Sequence, residues 1–361
     1  MSALCRKDCC KAHNVERIEG VMLRNIYGLD LGTYEIKVYD KKQNTIWKEK
    51  NVVAVMDNKK IISVGDEAYE MFERAPGNIQ VVFPMKEGVI SHFHDMQYLL
   101  QNILKKERRF ARGSEYVIAV PTDVTEVEKH AFYDLVIHST AKAKSVNIVE
   151  RALAQTVGLD LDVRNIKGLM IVDLGAETTE ISVVSTGGLV LNKMLKTGGI
   201  TFDNAISNLI RRNYDFLIGQ KTSEMLRRRF GVFGGDSHST MKVSGRNLVT
   251  GVPQQMDISI SVVCAAMREP LSECIANINS ILDRTPPEVL KAIQQNGIYL
   301  VGGLAYLPGL SRYVEEATGY RVHTTRKPDL CTVDGLKKII NSKELKSLTY
   351  SMLDSRYRWL K

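Results

Sequence analysis

Two stretches of the chain carry the same acidic corner on the same kind of strand. GLDLGTYEIKVYD runs from Gly28 to Asp40, and IVDLGAETTEISVV from Ile171 to Val184. In each, an apolar run ends in Asp-Leu-Gly, a short polar corner containing Thr follows, and apolar residues then alternate. An Asp at the end of a buried strand, with Gly close behind, suits a polyphosphate bound together with a divalent cation. The glycine lets backbone N–H groups approach phosphate oxygens, and Thr adds a hydroxyl. The carboxylates of Asp30 and Asp173 could hold Mg²⁺ through water, which that ion retains readily. A single corner is explained equally well by an ordinary strand-to-turn junction. Two of them, roughly 140 residues apart, with a further strand-to-glycine corner at Tyr299–Gly303 (YLVGG), describe a two-sided clamp in a cleft between related lobes.

The elements that must hold these corners are readable from periodicity. IYGLDL, EIKVYD and TIWKEKNVVAVM, within residues 26–56, are rich in β-branched and aromatic types and predict strands. Met96, Leu99, Leu100, Ile103 and Leu104 follow helical spacing between Asp95 and Lys106. EYVIAVP predicts a buried strand ending at Pro121, and Thr125-Glu126-Val127-Glu128 a capped helix start running toward Ser139. Phe202, Ala205, Ile206, Leu209 and Ile210 form another helical stripe, residues 262–295 are mostly helical with a break at Pro286-Pro287, and GIYLVGGLAYLPGL leads from a strand through a Gly corner into a helix. Strands alternating with helices predict an α/β architecture with two related lobes.

Bulk properties narrow the class. The chain has 361 residues, 44% of them hydrophobic and 25% charged, enough for two lobes with real cores. No run approaches the roughly 18 apolar residues of a membrane span, and the first twenty lack the apolar stretch of a secretory signal; the expected location is cytoplasmic. Residues 1–21 read as a disordered arm, with Met22 a candidate native start. Cys5, Cys9, Cys10 and His13 lie in that arm without a second Cys-x-x-Cys to complete a zinc pattern. Cys264, Cys274 and Cys331 read as buried thiols. The net charge of +8 favours an acidic partner, but the cations are scattered, gathering at Lys105–Arg112, at Arg227–Arg229 and in the tail, where solvated helix faces explain them as well.

These stretches together resemble the MreB/Mbl family of bacterial actins, within the actin–Hsp70–sugar kinase superfamily. The resemblance runs from Met22 to about Ile340 through MLRNIYGLDLGT, FPMKEGVI, VPTDVTEVEKHA, IVDLGAETTEISVVSTGG, VSGRNLVTGVP, RTPPEVL and GIYLVGG. It implies an actin-like (ribonuclease H-like) fold of two duplicated lobes, divided into four subdomains around a nucleotide cleft. Residues 22–51, 88–160 and 331–345 would form the first lobe's core, with 52–87 as its small subdomain. Residues 161–201 and 262–330 would form the second core, with 202–261 as its small subdomain, and 346–361 a basic-aromatic tail. The resemblance further implies ATP and Mg²⁺ in the cleft. Thr33, Tyr34 and Glu35 then stand at the first phosphate corner and Ala176, Glu177 and Thr178 at the second, with Asp30 and Asp173 behind them. Glu224, Met225, Leu226 and Arg227 flank the base and ribose, and Gly302, Gly303, Leu304 and Ala305 stand at the adenosine corner. It implies filaments of the chain itself on the anionic inner face of the cell membrane, serving cell-wall elongation, with no role for nucleic acid.

The departures from the family pattern fall at the nucleotide. Asp-Leu-Gly-Thr-Ala-Asn-Thr has become Asp-Leu-Gly-Thr-Tyr-Glu-Ile, and Gly-Gly-Gly-Thr has become Gly175-Ala176-Glu177-Thr178. Glu177 is expected to set a carboxylate against a phosphate, a repulsion of roughly 1 kcal/mol in water and more in a cleft. Where the family has a water-positioning Glu before Pro, counting back from Gly158 puts Arg151, followed by Ala152. Arg cannot act as a base, so hydrolysis is expected to be impaired, and Glu150, about 100° around a helix, is a poor stand-in. Arg151 and Glu177 are expected to pair across the cleft; the alternative is that Arg151 binds the γ-phosphate directly and traps ATP unhydrolysed. Three readings stay open: a filament former with slow or absent turnover, a nucleotide-free pseudo-actin that co-assembles with an MreB paralogue, and a kinase or ATPase on the same fold. Membrane contact is expected at Arg108, Arg109, Phe110 and Arg112, and in a tail helix aligning Tyr350, Leu353, Tyr357 and Leu360, with Trp359 in the same tail.

Overall fold

β1 (Ile26–Leu31) is buried along almost its whole length, because it lies at the centre of a sheet covered on both faces. It turns back antiparallel into β2 (Glu35–Asp40), which pairs in turn with β3 (Thr45–Lys50). This computed structural model describes residues 25–106, 113–139, 143–230 and 239–353. The arm, the membrane-contact residues Arg108, Arg109, Phe110 and Arg112, and the tail residues Tyr357 and Trp359 lie outside the described residues.

The chain next builds a small three-stranded sheet from β4 (Val53–Met56), β5 (Lys60–Val64) and β6 (Ile79–Val82), with helix α1 (Gly65–Met71) between the last two. A short hairpin of β7 (Met85–Lys86) and β8 (Val89–Ile90) leads into α2 (Phe93–Lys106). β9 (Glu115–Val120) joins β1 in parallel, α3 (Glu126–Ile137) follows, and β10 (Ser145–Glu150) joins β9 in parallel before the chain enters α4 (Arg151–Gly158). The predicted capping box at the start of α3 is present: the Thr125 hydroxyl accepts from the Glu128 N–H, and the Glu128 carboxylate accepts from the Thr125 N–H. The first large sheet therefore has the order β10-β9-β1-β2-β3.

The second half repeats this plan. β11 (Leu169–Leu174) turns antiparallel into β12 (Thr179–Ser185), which pairs with β13 (Gly188–Leu195). Helix α5 (Gly199–Tyr214), β14 (Phe216–Leu217), α6 (Gln220–Phe230), β15 (Thr240–Asn247) and β16 (Pro253–Ser259) follow, with a three-stranded sheet of order β14-β15-β16. The long α7 (Ile260–Arg284) and α8 (Pro287–Asn296) lead to β17 (Ile298–Val301), parallel to β11, then α9 (Leu310–Thr318) and β18 (Val322–Thr324), parallel to β17. The second sheet, β13-β12-β11-β17-β18, is the first one repeated.

α10 (Cys331–Asn341) returns to lie beside α4, and both helices pack between the two sheets. Their shared core takes Val117, Ala119 and Val149 from the first sheet and Leu169, Ile171 and Val301 from the second. The tail differs from expectation where it is described. Tyr350 is extended, exchanging backbone hydrogen bonds with Ile148, and Met352 is buried in the first lobe's core. A helix spanning Tyr350 and Leu353 does not form, because the chain adds an edge bridge to β10 there.

Candidate functional site

Both acidic corners are built alike. Leu31 pairs with Ile36 across the first hairpin and Leu174 with Thr179 across the second. Four residues cross over in each, closed by Gly32 N–H donating to Glu35 O at 3.1 Å and Gly175 N–H donating to Thr178 O at 2.8 Å. Asp30 and Asp173 occupy matching places one residue before the strand ends. At the third corner Gly302 has φ +84°, and a Cβ there would lie 2.4 Å from Asp173 Oδ1, so only glycine fits.

The three corners line one cavity of about 800 Å³ between the lobes. Of the expected residues, Asp30, Thr33, Tyr34, Glu35, Asp173, Ala176, Thr178, Glu224, Arg227, Gly302, Gly303 and Leu304 line it. Glu177, Met225, Leu226 and Ala305 do not. Leu226 is wholly buried in the second lobe's core and Ala305 packs there too, while Met225 is 40% exposed on the outer face of α6.

Across the strands the two hairpins differ in charge. Asp30 stands opposite Lys37, whose Nζ lies 3.9 Å from its carboxylate. Asp173 stands opposite Glu180, a like-charge cross-strand pair that is destabilising unless a cation answers it. Arg151 answers it. As the first residue of α4 it puts a guanidinium, 8% exposed, at 3.6 Å from Glu180 Oε2 and 4.0 Å from Asp30 Oδ1. A cation at a helix N-terminus works against the helix dipole, so these carboxylates are what hold it. Burial alone would lower the guanidinium's pKa, but Glu180, Asp30 and Asp173 together hold it above its ordinary value. Burial pushes the Asp173 and Glu180 carboxyls up despite Arg151. Gln155, one turn along α4, donates to Asp173 Oδ2 at 2.6 Å and to Thr332 Oγ1 at 3.1 Å. Glu180 Oε1 accepts from the Thr122 N–H at 2.9 Å.

Arg151 therefore pairs with Glu180 and Asp30, not with Glu177. The Glu177 carboxylate accepts the backbone N–H of Glu87, from the β7–β8 hairpin of the other lobe, and lines a separate smaller cavity. It sits in the turn rather than on a strand, so its direction follows the docked hairpin and not the strand register. Its carboxylate is thus not set against the phosphate corner. Glu150 is no substitute base either: it is extended, ends β10, and accepts from Lys129 Nζ at 3.0 Å and Tyr350 OH at 2.9 Å.

The same three carboxylates and two cations test the metal expectation. Asp30 faces two cations, Asp173 is taken by Gln155, and among the described residues no group of three or more His, Cys, Asp or Glu is placed to hold a metal ion. Two unit positive charges about 4 Å apart repel by about 4 kcal/mol near a protein surface, and a dication doubles that. Arg151 and Lys37 offset two of the three carboxylate charges here, so the pull of Asp30, Asp173 and Glu180 on a hydrated divalent cation is much weakened.

The other departures meet residues of α1, α6 and β3. Tyr34 OH donates to Tyr69 Oη at 2.7 Å and lies 3.2 Å from Glu224 Oε2. Burial, Tyr69 and Glu224 push its pKa well above the ordinary phenol range. Burial works against the Glu35 carboxylate, but its hydrogen bond and ion pair with Lys50, with Lys37 and Lys48 nearby, leave its pKa lowered. Glu224 also pairs with Arg228 Nη2 at 2.7 Å. Arg227, expected at the ribose, is buried and makes two hydrogen bonds to Asp203, at 2.6 and 3.2 Å. Sequence reasoning missed Lys37, Gln155 and Glu180. Lys37 and Glu180 stand seven residues after Asp30 and Asp173, the same place in both hairpins, and that repeat was the available signal.

The family model described as MreB/Mbl protein matches residues 24–347. The chain is 35% identical over 323 residues to the cell shape-determining protein MreB of Escherichia coli (strain K12), spanning 87% of this chain and 92% of that protein. It is 33% identical over 312 residues to the cell shape-determining protein Mbl of Bacillus cereus (strain ATCC 10987 / NRS 248), spanning 85% and 93%. Among solved structures, MreB5 of Spiroplasma citri bound to ADP superposes with a TM-score of 0.84 at 27% identity, covering 90% of this chain and 98% of that one.

Proposed function

The chain belongs to the MreB/Mbl protein family, and on that premise we propose that it is an actin-like filament subunit that binds an adenine nucleotide between its lobes and helps determine cell shape. The observation that carries the reading is the duplicated corner: two hairpins of identical register, with Gly302 beside the second, lining one cavity of about 800 Å³. The corner N–H groups and the hydroxyls of Thr33 and Thr178 would take phosphate oxygens. Gly303, Leu304 and Glu224 would line the adenosine end. The similar MreB5 was solved bound to ADP, and the similar MreB and Mbl are named for determining cell shape.

Turnover is proposed to be slow or absent. Arg151 occupies the place where the family pattern has a water-positioning Glu, and a guanidinium held above its ordinary pKa cannot accept a proton. Filaments would lie at the cytoplasmic face of the membrane, close to the machinery of wall elongation. Sedimentation of the pure protein with and without ATP, alongside phosphate release, tests this. Nucleotide-responsive polymer without phosphate release supports the reading. Polymer that forms only beside an MreB paralogue favours a co-assembling pseudo-actin, and soluble protein with steady phosphotransfer overturns the filament reading.

A further inference from the structure

The phosphate corner holds a cation of its own. Asp30, Asp173 and Glu180 come together at the end of the cavity where the two hairpins face each other, and all three act on the guanidinium of Arg151. That guanidinium is more than nine-tenths buried, and its Nε has no hydrogen-bond partner among the described residues. Glu180 Oε2, 3.6 Å from Arg151 Nη1, has none either. The contacts to Glu180 and Asp30 are ion pairs longer than hydrogen bonds. Arg151 therefore offsets part of the carboxylate charge without a close hydrogen bond to Glu180 or Asp30, and its side chain lines the cavity. A guanidinium fork matches carboxylate and phosphate oxygens alike, and a phosphate is the acceptor that the cavity could bring to it.

From this geometry we propose that Arg151 is the resident cation of the phosphate corner, and that the chain takes a nucleoside diphosphate or triphosphate free of divalent metal. The proposal rests on the nucleotide-binding reading above and deepens it. In a corner without Arg151, Asp30, Asp173 and Glu180 would stand against Lys37 alone, and a polyphosphate could enter only with metal ions to screen it. With Arg151 in place, a fixed charge does that screening. A dication would have to settle beside that charge, among carboxylates already facing Lys37, Gln155 and the Thr122 N–H. Gln155 anchors the arrangement from the same helix, so the cation and the group that orients Asp173 move together with α4.

The test is equilibrium binding of a fluorescent ribose-modified ADP and ATP to the full-length protein, in excess EDTA and in excess Mg²⁺. The expected dissociation constants agree within about twofold, a difference of less than half a kcal/mol. Binding at least about tenfold tighter with Mg²⁺ overturns the proposal. No binding in either condition overturns the nucleotide reading, and the proposal with it. Two variants locate the effect. Arg151→Lys keeps the charge and should remain indifferent to Mg²⁺. Arg151→Met should lose affinity in EDTA and recover at least part of it when Mg²⁺ is added. Should Arg151→Met fail to fold, the wild-type comparison and the Lys variant still decide. A Lys variant that binds only with Mg²⁺ counts against a role carried by charge.

Discussion

Arg227 and Asp203 show how little of a charged residue's task its type reveals. In sequence Arg227 opens the run Arg227–Arg229 and reads as part of a solvated basic face or as a nucleotide contact. In the structure it is 7% exposed and makes two hydrogen bonds to Asp203, itself 3% exposed. Burial pushes the Asp203 carboxyl up, and Arg227 acts against that shift. Removing one partner leaves the other charge buried alone, so Arg227→Met should lower unfolding stability by roughly 3–5 kcal/mol. The double change with Asp203→Leu should recover most of the loss, as measured by chemical denaturation. Glu35 makes a pH prediction. Its folded pKa is lowered, so its contribution to stability is full above the ordinary carboxylate range and disappears as pH falls through the folded value. Thermal unfolding of the wild type and of Glu35→Gln should therefore differ at about pH 7, and the difference should shrink only as pH falls below the ordinary Glu value of about 4.3. At this scale the sequence showed which residues depart from the family pattern but not what they face. Asp30 and Asp173 were legible because the Asp-Leu-Gly unit repeats. The partner of Arg151 was not, since it depends on how β10 and α4 approach the β11–β12 hairpin.

Elements were more legible than contacts. The α3 capping box, the helical stripe of α2 and the strands around both corners stand where periodicity and cap residues put them. The tail failed because helical spacing says nothing about a free strand edge, and Tyr350 bridges to Ile148 instead. Nor does periodicity reveal how closely two helices approach. α4 and α10 meet at glycines: a Cβ on Gly335 would lie 1.8 Å from Ala154 O, and one on Gly158 would lie 2.1 Å from Cys331 O. Neither backbone can yield without shifting a helix between the two sheets. Gly335→Ala should cost about 1–3 kcal/mol in thermal or chemical unfolding, the usual range for overpacking. Gly77→Ala, where a Cβ meets nothing within 4 Å, is the control and should change stability little. Because α4 begins with Arg151, the same Gly335 variant should also weaken nucleotide binding in EDTA. Unaltered binding in a destabilised protein would show that the corner is held by its carboxylates rather than by the seat of α4.

The whole molecule is a duplication, and that was visible from two quoted stretches because the hairpin and the strand order on either side of it repeat together. What the duplication did not reveal is the contact between the α1 segment and α6, which share no pattern and meet only through tertiary structure. Glu73, in the loop after α1, accepts the backbone N–H groups of Gln220 and Lys221, at 2.5 and 3.1 Å. It caps the first turn of α6 from the opposite lobe, where a carboxylate is favoured by the unpaired N–H groups and the dipole. Lys221 Nζ donates to Tyr69 O at 2.9 Å and stands 4.7 Å from the Tyr69 ring centre. Tyr34, Tyr69 and Glu224 continue the seam to the edge of the cavity. These contacts tie one lobe to the other across the mouth of the cleft, so opening it must break the cap. Glu73→Gln keeps the shape but removes the charge, and its amide offers a donor where Glu73 has a second acceptor. The loss of about 1 kcal/mol expected for a charge at a helix N-terminus converts to a roughly fivefold larger open population. Fluorescent nucleotide should then dissociate about five times faster in a chase experiment, and the radius of gyration from small-angle scattering should rise. The scattering arm does not depend on nucleotide. If both the dissociation rate and the radius match the wild type, Glu73 only caps α6, and the lobes are held closed by the core around α4 and α10.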